Sequence, residues 1–368
     1  MNDTKNIQLL SCGWRTSSCA NLHTLQLCII AFLITITACG HTQKQPAQRI
    51  SEKKRLADKI DPQTRYPHEW YITATGSGDT KESAEKKAIN GIAQTIKVDI
   101  KSQQMLVENY LEKGTSDNMK LQATTSFTNQ IDLTTQQNLK NINIAKTWLS
   151  DEDGLYYAFA YMDRSETSDI LIKDLEILDK DIAAYYQAMQ ESENKLTALA
   201  NITKALSLAV ERDIKSEQLN SISLGNREYT PAIKSTELIG ARHDLAKTIG
   251  VMLDLKFDKW DEFPATVAEV LGAYGLRIVD VNPDIIVSGK MNMEHLERKG
   301  FFVRWYVELH FTETASNSEF LTYSDDSREG HKSYGEAERR AAKRMSVALR
   351  KDLYKKFGEH LESMLGGK

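Results

Sequence analysis

A chain of 368 residues with 41% hydrophobic and 27% charged side chains, 19 glycines and 6 prolines has the makeup of a globular protein, not of a disordered or fibrous one. Its formal charge of -4 becomes -5 once Lys5, Arg15 and Asp3 leave with residues 1–38, so there is no basic excess and nucleic acid is excluded as an expected partner. All four cysteines, Cys12, Cys19, Cys28 and Cys39, precede Gly40, which excludes a disulfide framework, a thiolate zinc site and a cysteine nucleophile from the remainder and suits an exported chain.

The first element is the charge-free run Leu25–Ala38, LQLCIIAFLITITA. It is shorter than the roughly 20 apolar residues of a membrane span and is followed by polar sequence, so residues 1–38 read as a signal peptide, with a short membrane anchor as the alternative. Ile36-Thr37-Ala38-Cys39 resembles a bacterial lipobox, an aliphatic residue and two small ones before the cysteine that takes the lipid. That resemblance implies cleavage before Cys39, lipidation of its thiol and acylation with fatty acids such as palmitate. Three acyl chains at about 0.8 kcal/mol per methylene would make attachment effectively permanent. Gly40 stands where lipoproteins retained at the inner membrane typically carry Asp, so the same resemblance implies the periplasmic side of the outer membrane. The long start with only Lys5 and Arg15 departs from the short basic opening of such signals. Residues 39–65, with Lys44, Arg49, Lys53, Lys54, Arg55, Lys59 and Arg65, read as a solvated tether or one resting on anionic headgroups.

His68–Thr75 alternates as a strand, Gly76-Ser77-Gly78 reads as a turn, and Asp79 with Glu82 opens a helix carrying the stripe Ala84, Ala88, Ile89, Ile92, Ala93 and Ile96. Its expected partners are strands at Val98–Val107, Ala145–Leu149 and Leu155–Met162, the last two joined by a turn at Asp151–Gly154. Residues 119–141, rich in Thr, Gln and Asn, read as a long strand or a loop. Leucines and isoleucines from Ser165 to Val210 fit two antiparallel helices, which pack within the chain or receive a partner helix, including one from a second copy. A second module follows, with a strand at Val251–Phe257, a helix at Pro264–Tyr274, and strands Leu276–Val281 and Ile285–Met293 turned at Asn282-Pro283-Asp284. Phe301, Val303, Trp305, Val307, Leu309 and Phe311 line one face of a long antiparallel strand. A last amphipathic helix from Gly335 buries Ala337, Ala341, Met345, Leu349, Leu353 and Phe357.

The expected fold class is therefore α+β: an antiparallel sheet packed on a helix in an N-terminal module (66–164), a helical hairpin (165–225), and a second α+β module (235–365), after the signal (1–38) and tether (39–65). Motifs for chemistry are few. The histidines, His68, His243, His295, His310, His331 and His360 among them, lack metal-ligand spacing. Gly76-Ser77-Gly78 lies where a phosphate cradle belongs, but Lys81 replaces the third glycine, so a plain turn is the better reading. His295 with Glu294 and Glu297 sits beside the turn at Lys299-Gly300, where charge is expected in any case. Ser288-Gly289 lies in mid-strand, and the basic side chains Arg339, Arg340, Lys343, Arg344, Arg350, Lys351, Lys355 and Lys356 are offset by Glu336, Glu338, Asp352 and Glu359. No catalytic, cofactor or metal residues are nominated, and Cys39 is the one site residue.

Trp70, Gly76, Ala84, Ala88 and the strand end Tyr156–Arg164 resemble the LPP20 family of bacterial outer-membrane lipoproteins over about residues 66–164. A related small α+β domain opens a flagellar ring protein in some bacteria. The resemblance implies no known reaction, ligand or catalytic residue. The anchor, the tether and two α+β modules without a catalytic constellation lead to the expectation of a non-enzymatic, lipid-anchored envelope module, with an envelope protein or peptidoglycan as partner, for flagellar or cell-wall assembly. The alternative is an envelope hydrolase or ligand-binding enzyme whose site is assembled from residues distant in sequence.

Overall fold

In the computed structural model, residues 62–99, 141–257, 259–296 and 300–366 are described, all within the unit Asp61–Lys368. The signal, Cys39, the tether up to Asp61 and the Thr/Gln/Asn-rich stretch up to Lys140 lie outside the described residues.

A short helix α1 (Pro62–Arg65) leads into β1 (Tyr71–Gly78), helix α2 (Lys81–Asp99), β2 (Asn143–Leu149) and β3 (Tyr156–Asp163). The strands form an antiparallel sheet in the order β1-β3-β2, and Ser150 to Leu155 closes the expected β2–β3 hairpin. Helix α2 lies on one face, with Ala84, Ala88, Ile92 and Ile96 fully buried against Ile72, Ala158, Ala160 and Met162. Three local readings are corrected. Gly76-Ser77-Gly78 is strand, not turn: a Cβ on Gly76 would sit 2.3 Å from the Ala88 nitrogen and 2.4 Å from the Ala84 oxygen, so the glycine lets the helix backbone rest on the strand. The helix is capped by Thr80, whose Oγ1 accepts from the Ser83 amide at 3.2 Å, and not by Asp79. Val98 and Asp99 continue α2 instead of opening a strand, since the four-residue stripe through Ile96 keeps the helix on the sheet, and the rest of that expected strand, residues 100–107, lies outside the described residues. Ile89, expected in that stripe, is 36% exposed because it lies beyond the sheet-facing row.

Helices α3 (Arg164–Glu191) and α4 (Lys195–Ile222) form the hairpin, each 28 residues and about 42 Å long. Asp163 caps α3 by accepting from the Glu166 amide, and Asn194 caps α4 by accepting from the Thr197 amide. Length lets the hairpin serve two cores. Leu171, Leu175, Leu219 and Ile222 at one end join the core under the three-stranded sheet, while Ile182, Leu196, Leu199, Ile202, Leu206 and Ala209 join the larger core beyond. Buried Arg212 fastens the segment that follows: its guanidinium donates to Asp179, Asp213, Ser235 and the Ile233 carbonyl. Tyr229 donates to the same Asp179 at 2.8 Å, and burial and that carboxylate together push its phenol pKa up. Helix α4 ends in a Schellman turn, with the Gly225 amide bonded to the Asn220 oxygen and the Leu224 amide to the Ser221 oxygen. The left-handed position is held by Leu224 at φ 54°, at a cost of about 1 kcal/mol that glycine would avoid.

Helix α5 (Ser235–Lys247) precedes the second sheet: β4 (Gly250–Phe257), α6 (Phe263–Ala273), β5 (Arg277–Ile278), β6 (Ile285–Leu296), β7 (Phe301–Glu313) and β8 (Ser318–His331), in the order β5-β4-β6-β7-β8. The expected hairpin about Asn282-Pro283-Asp284 is corrected: β5 is only two residues long, and β4 lies between β5 and β6, parallel to both. Asp284 fixes that crossover, accepting from the Gly250 amide at 2.8 Å and pairing with Lys195 of α4 at 2.8 Å. Val303, Trp305, Val307, Leu309 and Phe311 are buried as expected, whereas Phe301 at the strand's start is 44% exposed, edge-on to Tyr334.

The final helix has three parts, α7 (Tyr334–Ala348), a π turn at Leu349–Leu353 and α8 (Tyr354–Ser363). Ala337, Ala341, Met345, Leu349, Leu353, Phe357 and Leu361 recur every fourth residue and are all buried. In an α-helix that row drifts by about 40° at each step. The wider π turn recovers part of the drift and keeps the row on the sheet.

Gly76→Ala is expected to destabilise the protein by about 1–3 kcal/mol, because the added methyl meets helix backbone that cannot rotate away. Urea denaturation checks this, and a loss under half a kcal/mol would contradict the close approach.

Candidate functional site: the aromatic face of the three-stranded sheet

The face of this sheet opposite α2 carries rings. Strand alternation puts Tyr157, Phe159 and Tyr161 of β3 there, beside Tyr71, Thr73, Thr75 and Ser77 of β1. On β2 the register shifts between Ile144 and Lys146, an irregularity that reverses which side chains face the helix. Thr147 thereby donates to Glu85 of α2 at 3.1 Å, and Trp148 pairs with Tyr157 on the outer face.

The rings fall into two groups. Tyr66, from the segment entering β1, stacks on Tyr161 with centroids 4.3 Å apart, lies 5.7 Å from Phe159 and meets Tyr71 edge-on at 5.1 Å. Burial, with Tyr66 and Tyr71 close by, pushes the Tyr161 phenol pKa up. The second group is more open: Trp148 and Tyr157 are half-buried and nearly parallel, 5.6 Å apart at 17°. Tyr157 donates to Asp153 Oδ2 at 2.6 Å, and the Leu155 amide donates to Asp153 Oδ1 at 3.0 Å. The Tyr157 hydroxyl holds the Asp153 carboxyl below its usual range, helped by that amide, and Asp153 in turn raises the phenol. Asp153 is therefore a fixed acceptor and not a poised acid. Around the two rings stand the hydroxyls of Thr75 and Ser77 and the exposed Lys146.

Arg164, at the junction of β3 and α3, holds this sheet to the hairpin. It is buried, with Nε donating to the His68 carbonyl at 2.9 Å and a terminal nitrogen to the Ile222 carbonyl at 2.7 Å.

Cys39 lies outside the described residues, so the structure brings nothing to it. His295 does not gather Glu294: its Nε2 is 2.7 Å from Glu338 of α7 and its ring stacks on Tyr334, while Glu297 lies outside the described residues. Lys259 shares Glu338 and is the main reason its carboxyl sits below the usual range, with His295 adding to the effect. His310 pairs with Glu319 and His331 with Glu336. Among the described residues no group of three His, Cys, Asp or Glu is placed to hold a metal ion. On the last helix Arg344 pairs with Glu329, Arg350 with Glu269 and Lys355 with Glu359. Arg339 and Lys343 line an open cleft of about 540 Å³ with Lys259 and Asp261. Sequence reasoning missed the Trp148–Tyr157 pair, although aromatics at 157, 159 and 161 already had the spacing of one strand face.

The sequence model of the LPP20 lipoprotein family matches residues 61–163, which comprise this sheet and α2. No curated protein matches the chain. Solved structures resemble it in part. A secreted protein of Helicobacter pylori is 13% identical, with a TM-score of 0.42 over 77% of this chain and 97% of its own. A minor lipoprotein of Acinetobacter baumannii is 15% identical, with a TM-score of 0.22 over 33% of this chain and 93% of its own. The rare lipoprotein B of Shewanella oneidensis is 17% identical, with a TM-score of 0.20 over 31% of this chain and 94% of its own. Among the described residues no helix is long and apolar enough to cross a membrane.

His360 stacks on Phe320 at 4.9 Å, and burial lowers its pKa from the ordinary 6.5. The unfolded chain then takes up the proton first, so the His360 contribution to stability is complete above 6.5 and declines as pH falls from there through the lowered folded value. His360→Gln is expected to flatten that part of the decline in urea titrations between about pH 7.5 and pH 5. An equally steep decline in the variant would contradict it.

Proposed function

With an LPP20 lipoprotein domain at residues 61–163 as the premise, we propose that this protein is a non-enzymatic, lipid-anchored module of the outer membrane that binds the cell wall from the periplasmic side. In this reading Cys39 carries the anchor, the sequence up to Asp61 is the tether, and the open half of the aromatic sheet face takes glycan strands of peptidoglycan. The observation that carries it is the parallel Trp148–Tyr157 pair at the open half of the aromatic sheet face. The open side of the stacked rings offers an aromatic surface to the C–H face of a pyranose, and the Thr75, Ser77 and Asp153 oxygens surround it with donors and acceptors for sugar hydroxyls. The Lys146 ammonium suits the carboxylates of the attached peptides.

Two measurements test this reading. Co-sedimentation of the protein with purified sacculi is expected to weaken about 5–10-fold in Trp148→Ala, the effect of losing one stacking contact of about 1 kcal/mol or slightly more. Sedimentation unaffected by Trp148→Ala and by Tyr157→Ala would remove the glycan reading. For the anchor, labelling of cells with radioactive palmitate is expected to mark the natural protein and to be lost in Cys39→Ala. Equal labelling of both would move the lipid elsewhere.

A further inference from the structure

One end of the folded unit exposes two large apolar side chains, Trp70 at 65% and Leu224 at 49%. They are brought to that end by the same residue. The Arg164 amide donates to the Trp70 carbonyl at 3.0 Å, while its guanidinium holds the carbonyls of His68 and Ile222, two residues before Trp70 and Leu224 respectively. Leu224 is unfavourable there on two counts. Its backbone occupies the left-handed position of the Schellman turn, where glycine is the relaxed choice, and its side chain gains little burial in return. Local stability does not account for a leucine at that position.

We propose that Trp70 and Leu224 form a lipid-contact end that enters the headgroup layer of the anchoring membrane and sets the orientation of the protein on it. The proposal rests on the anchor at Cys39. Chain entry favours this end: the described fold opens at Pro62, a few residues before Trp70, and only residues 40–61 of the sequence separate it from the proposed anchor at Cys39. The chemistry favours lipid, because tryptophan prefers the membrane–water boundary and exposed Arg65, beside Tyr66, suits phosphate headgroups, with Glu69 as the nearby opposing charge. Size favours it too: one Trp and one Leu offer at most about 400 Å², half of what each partner of a stable protein pair buries.

The test uses the mature lipidated chain in phosphatidylethanolamine–phosphatidylglycerol vesicles carrying doxyl-labelled lipid. Trp260 and Trp305 are buried and Trp148 is half-buried, so the comparison is made in a Trp148→Phe background, where quenching of tryptophan emission by the label is expected to fall at least threefold on Trp70→Phe. Leu224→Gly is expected to reduce quenching similarly while the thermal midpoint stays level or rises, which a merely structural leucine would not allow. Quenching unaltered in both variants would overturn the proposal, as would a photocrosslinker at position 224 that captures a protein in cells instead of phospholipid. The unlipidated Cys39→Ala chain, added to the same vesicles, separates this idea from the anchor. Quenching that depends on Trp70 in that chain, together with failed palmitate labelling of the natural protein, would sink the anchor alone. A labelled, membrane-held protein without quenching that depends on Trp70 would sink the lipid-contact end alone.

Discussion

Arg164 stands where the chain's entry, the three-stranded sheet and the helical hairpin meet. Its guanidinium lies among backbone carbonyls at the end of α4, where unpaired C=O groups carry the partial negative charge of the helix and need donors. The same group reaches the His68 carbonyl on the way into β1. An arginine suits this place because it stays charged and offers a fork of donors that several carbonyls can share. Taking it away would leave buried oxygens without partners, so the sheet, the Schellman turn and the segment before β1 depend on one side chain.

The hairpin carries that dependence across the molecule. Its helices contribute to both hydrophobic cores, and the Arg212 cluster and the Lys195–Asp284 pair hold the far parts. A buried cluster of this kind contributes little net stability relative to apolar packing, but it penalises any arrangement that leaves Asp179 or Arg212 alone. The polar contacts thus select one arrangement among the several that apolar contacts alone would tolerate.

The two sheets use their outer faces differently. That of the five-stranded sheet is occupied by cross-strand pairs such as Lys290–Glu308 and Arg304–Asp326, which are exposed and worth little individually but keep a long β8 edge soluble. The three-stranded sheet has rings in the corresponding position, partly covered by Tyr66 and partly open at Trp148 and Tyr157. Rings are thus retained on an open face, where charge would be the soluble choice, within the stretch that the LPP20 family model matches.

Periodicity was enough to find α2, the hairpin, β7 and the last helix, because burial of one face writes itself into the spacing of Ala84, Ala88, Ile92 and Ile96 or of Val303 to Phe311. The amino acids alone also determined the lack of thiols after Cys39 and the resemblance of its surroundings to a lipid-attachment site. Tertiary structure decided what spacing cannot encode. A one-residue irregularity in β2 sends Trp148 to the outer face, since a single slip reverses every side chain after it. Gly76 reads as a turn until α2 lies on it, and β5 reads as half of a hairpin until β4 enters between it and β6. Partners far apart in sequence gave Arg164 and Arg212 their roles, because the carbonyls and carboxylates that define those roles meet only after the chain has closed.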